Sequence, residues 1–172
     1  VSLDGDLVIV DNSSITARTR ESRAADADPN ELSGSITIVA DDILLTDQGD
    51  IEVSTDGENN AGRIAITANT IELRDQFILG ETRTQSSGLF SRSLSNATGT
   101  GGDIILRTGL LRVQGNAVVN ASSESAARGG NIRITADHIE LLAGGQLVAS
   151  TFDEGDAGSI EIFVSDQLLI TG

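Results

Sequence analysis

Glu72 and Glu140 occupy equivalent positions in a repeating pattern, two repeats apart. At roughly 4.8 Å per stacked strand that is about 10 Å, a spacing loosely compatible with the acid and base of an inverting glycosidase. Such an enzyme also needs an aromatic floor, a histidine or a basic partner. The sequence supplies none beside this pair, so a solvated acidic face is the expectation and no catalytic residue is assigned. His138 is the only histidine and stands next to Asp137. It has no second imidazole to join in a metal site and is expected at a surface corner. Asp153, Glu154 and Asp156 crowd one glycine-flanked corner, and Asp56 and Glu58 lie in the equivalent corner of another repeat. Calcium wants several oxygens converging at about 2.3–2.6 Å, and Asp153, Glu154 and Asp156 are the candidate calcium ligands. The Gly-Gly-x-Gly-x-Asp pattern of calcium β-rolls is missing, so no metal site is assigned, and no cofactor is expected.

The remaining candidate is a binding patch. Two stretches, 18–33 and 82–101, exceed the repeat length, and both are expected to leave the same wide corner, two repeats apart. Insertions on one side of a repeat array often form its binding face. Arg18, Arg20, Arg23, Arg83, Arg92 and Arg128 fall on that side, and Leu89, Phe90 and Leu94 add apolar groups. Arg83, Leu89, Phe90 and Arg92 are the candidate binding residues, for a surface protein or a glycan. The alternative is that the insertions are tolerated surface loops whose apolar residues pack down on the neighbouring strand.

Composition narrows the classes. The chain has 172 residues and a net charge of −15, with no Cys, Met, Trp or Tyr and four Phe; it also lacks Lys. Nucleic acid is excluded as a partner, because phosphates require clustered cations. Disulfides and thiolate metal sites are excluded. No apolar run is long enough to insert in a membrane, and no signal-peptide pattern opens the chain. Aromatic poverty removes most stacking platforms for sugars and bases.

The elements that must position these residues come from an internal repeat. Gly34-Ser-Ile-Thr-Ile, Gly62-Arg-Ile-Ala-Ile, Gly102-Asp-Ile-Ile-Leu, Gly130-Asn-Ile-Arg-Ile and Gly158-Ser-Ile-Glu-Ile align on glycine. The spacings are 28, 40, 28 and 28. Within each repeat apolar residues alternate: Ile36 and Ile38, Ile43 and Leu45, Ile51 and Val53 in one; Ile132 and Ile134, Ile139 and Leu141, Leu147 and Ala149 in another. Period-two spacing in β-branched runs specifies strands with one buried face. Helical spacing is sustained nowhere. Three short strands per 28 residues describe one rung of a parallel β-helix, an all-β solenoid of about six rungs. Asp41, Asn69 and Asp137 share one corner position and suit a repeated turn. In the 40-residue repeat Leu79 is taken as the inward residue of the third strand, with Glu81 turned out and the extra length after it. The last repeat carries Leu168 and Ile170 with a one-residue slip. One rung cannot bury its apolar face alone, so stability comes only from stacking. Residues 1–172 are read as a single segment of a longer solenoid, with bare ends open to end-to-end self-association.

Three lines, Arg112-Val-Gln-Gly-Asn-Ala-Val-Val-Asn-Ala-Ser-Ser, Gly129-Gly-Asn-Ile-Arg-Ile-Thr-Ala, and Gly145-Gln-Leu-Val-Ala-Ser-Thr-Phe-Asp-Glu-Gly-Asp-Ala-Gly-Ser-Ile, resemble the repeats of filamentous-haemagglutinin-type exoproteins. These are the large passengers of two-partner secretion, here in the form common among cyanobacteria. The resemblance implies a right-handed parallel β-helix, export through an outer-membrane secretion pore, and a stalk or adhesin role at the cell surface. It implies no catalytic residues. The family's Asn-Pro-Asn signature is approached only by Asp28-Pro29-Asn30-Glu31, read as a turn in an extended loop.

The expectation is therefore a non-enzymatic, structural and adhesive segment of a secreted surface protein. The alternatives are a polysaccharide-active β-helix enzyme and a self-assembling extracellular fibre unit.

Overall fold

Alternating Ile, Leu and Val residues become strands whose inward side chains meet between two sheets. A computed structural model describes residues 1–19, 34–75 and 86–172. Among these residues every regular element is a strand: β1 (Leu7–Ile9), β2 (Ser14–Thr19), β3 (Ile36–Val39), β4 (Asp42–Thr46), β5 (Asp50–Thr55), β6 (Ile64–Arg74), β7 (Gly88–Ser93), β8 (Ile104–Gln114), β9 (Val118–Asn120), β10 (Ile132–Leu142), β11 (Gln146–Val148) and β12 (Ile160–Thr171). The first sheet runs β1-β4-β6-β8-β10-β12, with β3 also pairing β6; the second runs β2-β5-β7-β9-β11. All strand pairs are parallel, and the chain passes alternately from one sheet to the other.

Register follows the repeat. Ile43 pairs with Ile71, Ile71 with Leu111, and Leu111 with Ile139. In the second sheet Ile51 pairs with Leu89, Leu89 with Val119 and Val119 with Leu147. Ile38, Leu45, Ile51, Val53, Ile64, Leu73, Leu106, Val113 and Ile134 are fully buried in one continuous core. A one-residue slip would turn each of these sets toward solvent, so the apolar pattern itself fixes the register.

Two details differ from the expectation. The first two strands of a repeat fuse into one strand in β6, β8, β10 and β12; only β3 and β4 stay separate, at Ala40 and Asp41. In β6 two successive residues, Asn69 and Thr70, stay out of the core between buried Ala68 and Ile71. The phase of alternation shifts there while the ladder continues, which is how the anticipated first corner is made. The expected slip in the last repeat is present: the β10–β12 pairing shifts register between Ala136 and His138, so that Ile139 meets Leu168.

The second difference concerns the longer repeat. Its third strand is β7, Gly88–Ser93, not a strand around Leu79. Leu89 takes the inward position expected of Leu79, and Ser91 stands where Val53 and Ala121 stand in neighbouring repeats. Leu79 and Glu81 lie outside the described residues. The extra length therefore falls chiefly between β6 and β7, at the second corner, and not after the third strand.

β12, which stacks on β10, is the more exposed of the two strands. Ile160 is 41% exposed, Leu168 47% and Ile170 66%, although their counterparts in β10 are buried.

Candidate functional site

Of the predicted binding residues, Phe90 and Arg92 are brought together on one face of β7 and Leu89 lies on the other. Leu89 is fully buried in the core between Ile51 and Val119. Phe90 lies on the other face of β7, almost entirely covered. Arg92, two residues on, places its guanidinium 4.9 Å from the Phe90 ring centroid and bonds Glu52 through Nη2. Its charge is thus already used by Glu52 and the ring. Arg83 lies outside the described residues, as do Arg20 and Arg23. Arg18 bonds Asp56 at 2.8 Å. Nor do the two insertions share a corner: residues 20–33 follow β2, whereas residues 76–85 lie between β6 and β7. The neck of the second is closed by Asp75, whose carboxylate accepts from the Ser87 amide at 2.9 Å and the Ser87 hydroxyl at 2.6 Å.

The spaced carboxylates are separated by a cation, and of the two Glu72 lines a hollow of about 260 Å³ with Asp6, Asp42 and Thr70. Arg112 pairs in register with both Glu72 and Glu140, so a cation stands between the two acids. Its Nε donates to Glu140 at 2.6 Å, and this bond is the main reason its pKa is raised; partial burial opposes the rise, and the charges of Glu140 and Glu72 add to it. Gln114 donates to Glu72 at 3.1 Å.

Asp153, Glu154 and Asp156 are exposed in the corner after β11. The Asp153 carboxylate accepts from the Glu154 amide at 2.8 Å, a local turn contact. Among the described residues no three acidic or imidazole groups converge on a common point. His138 sits 3.4 Å from Asp166 on the surface.

Two ladders escaped the sequence reading. Thr55, Ser93, Ser123 and Thr151 occupy one column, paired strand to strand, and each hydroxyl donates to a backbone carbonyl of the wide corner that follows it: Asn59, Gly99, Ser125 and Asp153. The second column lies one residue after the repeat glycine. There Asp103 accepts from the Asn131 amide and side chain, both at 2.9 Å, and Asn131 accepts from the Ser159 amide and hydroxyl, both at 3.0 Å. Both columns satisfy backbone groups that the corners would otherwise leave unpaired. The signal was visible as hydroxyl and amide residues recurring in phase with the glycines.

The outer face of the first sheet carries two adjoining concavities. One hollow of about 470 Å³ has Ile105 in its floor and Arg107, Arg128 and Arg133 on its walls. A second of about 570 Å³ is bounded by Arg107, Thr135, Asp137 and Phe163. Arg107 lines both, and the two adjoining hollows on β8, β10 and β12 are taken together as a shallow trough. Register sets the order: Ile105 beside Arg133 beside Glu161, and Arg107 beside Thr135 beside Phe163. Arg133 is neutralised by Glu161 at 2.5 Å, and Asp103 and Asp137 already accept from Asn131 and Ser165. Arg107 is exposed and has no ion pair among the described residues. Phe163 is 56% exposed, in a chain with no Trp or Tyr.

No protein-family model, curated protein or solved structure matches the chain.

Proposed function

We propose that the chain is a segment of a right-handed parallel β-helix from a secreted cell-surface exoprotein of the filamentous-haemagglutinin type, with a structural and adhesive role. The observation that carries this is the register: the same apolar columns pair in parallel through successive strands of both sheets. A stack of this kind is a stiff rod with long-range backbone ladders and no mobile centre. Its outer faces are free to present side chains, and hydroxyl and amide columns hold its corners. In this role the protein does no covalent chemistry; it spaces and displays a binding surface away from the cell, after export through an outer-membrane pore. The net charge of −15 keeps such a rod dispersed.

Immunogold labelling of intact cells with antibody to this chain tests the assignment. Label outside the envelope, removed by protease treatment of whole cells, is the expected result. Label confined to the cytoplasm would overturn it.

A further inference from the structure

We propose that the trough across β8, β10 and β12 is a binding site for a carboxylate-bearing polysaccharide. Arg107 would hold a sugar carboxylate and Phe163 would carry a sugar ring. The inference deepens the adhesive reading above by naming a place and a ligand class.

The chemistry comes from what is used and what is left over. Of the charged groups around the trough, Arg133 is paired with Glu161, whereas Asp103 and Asp137 keep their negative charge and accept from the neutral donors Asn131 and Ser165. Arg128 makes a 3.3 Å contact with the Asn131 side-chain oxygen. Arg107 and Arg128 are thus the lining cations without an ion pair among the described residues, and Arg107 is exposed where the two hollows adjoin. A guanidinium presents two parallel donors that fit a carboxylate edge-on. Phe163 lies two strands from Arg107 in the same register line, roughly 10 Å away. That is about the reach of a disaccharide laid across the strands. An exposed aromatic face beside a polar clamp is the usual arrangement for a ring with one apolar side and a charged substituent. Ile105 continues the apolar floor past Arg107 toward Arg128, whose charge would meet the next carboxylate along the chain.

The surrounding charge selects the kind of anion. A chain of net −15 repels a densely sulfated polymer more strongly than a sparsely charged one, within about a Debye length of its surface. A polymer with one carboxylate per sugar carries less charge, and Arg107 in the middle of the trough and Arg128 toward one end can each meet one carboxylate. The ligand is therefore assigned as a uronate-type glycan rather than a highly sulfated one.

The test uses the purified 172-residue chain in a chelating buffer, so that calcium bridges from acidic corners do not contribute. Binding to immobilised polygalacturonate is measured by biolayer interferometry, beside dextran sulfate and neutral dextran. Saturable binding to polygalacturonate is expected, with little to either control. Arg107→Gln and Phe163→Ala should each weaken it at least tenfold with unchanged circular dichroism and melting temperature. Arg18→Gln, on β2 of the other sheet, should leave it intact. Absence of polygalacturonate binding would overturn the proposal, as would binding indifferent to Arg107→Gln or tighter binding to dextran sulfate. This failure would be separate from failure of the surface-protein assignment, which the labelling of whole cells decides.

Discussion

Gly130 and Gly102 meet backbone to backbone: a Cβ placed on Gly130 would lie 1.9 Å from the carbonyl oxygen of Gly102. Gly158 stands in the same relation to Gly130, at 1.8 Å, and Gly102 to Gly62, at 1.8 Å. The repeat glycine at these positions is required by close approach of stacked backbones; only Gly34, in the first of the aligned lines, has positive φ, at 73°. Gly130→Ala must push apart two repeats that share backbone ladders. The expected cost is about 2–3 kcal/mol, the scale of overpacking in a filled site. Gly5→Ala, with no atom within 4 Å of the new methyl, should leave the urea midpoint unchanged. Equal midpoints for the two variants would show that the stack yields at the glycine column.

Ser91 provides the opposite case. Its hydroxyl is fully buried in a column of Val53 and Ala121, and it has no hydrogen-bond partner. An unsatisfied buried hydroxyl destabilises the folded state. Ser91→Ala, which installs the residue of the next repeat, should therefore stabilise the chain by about 1 kcal/mol, read from urea unfolding. Leu89→Ala, one strand position away in the same core, should cost about 3 kcal/mol. Destabilisation by Ser91→Ala would mean that the hydroxyl is satisfied.

The same serine explains where sequence reading stopped. Repeats with two inward aliphatic residues per strand, such as Ile132 and Ile134, announce their register, and their buried positions were legible without coordinates. In β7 the inward residues are Leu89, Ser91 and Ser93, so the apolar alternation lapses after one residue. Leu79 offered a competing start, and the insertion was displaced by one corner in consequence. The binding residues drawn from that insertion moved with it: Leu89 became core, and Arg92 became the partner of Glu52. The trough was not legible for a different reason. Arg107, Thr135 and Phe163 are separated in sequence and become neighbours only once the strand register is known.

The corrected boundary changes what can be removed. Replacing residues 77–84 by a short Gly-Ser link spares Asp75, Ser87 and β7. Circular dichroism and the melting temperature should stay within a few degrees of the parent. Deleting residues 82–100 instead removes β7 and breaks the second sheet between β5 and β9, because β7 is the only strand joining them. That variant should fail to give a cooperative transition. A cooperative unfolding curve from the longer deletion would contradict the placement of β7.

Stability should also vary along the stack. β8 is flanked on both sides by long strands, β6 and β10, whereas β12 has a neighbour on one side only and leaves Leu168 and Ile170 exposed. In a linear array the end units open first, because they lose one interface instead of two. Hydrogen exchange followed by mass spectrometry should show slow exchange for Ile104–Val113 and faster exchange for Ile160–Thr171. Uniform protection from β1 to β12 would be at odds with independent fraying of the ends.

The outer-face column Glu72, Arg112, Glu140 tests how much the charged ladder contributes beyond display. Removing the cation leaves two carboxylates on either side of the vacated position, whereas neutralising one carboxylate leaves Arg112 with the other. Arg112→Ala should therefore cost more, about 1–2 kcal/mol, than Glu140→Gln, at under about 1 kcal/mol. Part of the arginine loss is the packing of its alkyl stem between neighbouring strands. The hydrogen bond to Glu140 raises the pKa of Arg112. Its stabilising contribution is complete below the ordinary arginine value and is lost only as pH rises through the raised one. The Arg112→Ala penalty should therefore be constant from neutral to mildly alkaline pH, and should shrink with added salt as the charge interactions of the column are screened. A penalty insensitive to salt would assign the effect to packing alone.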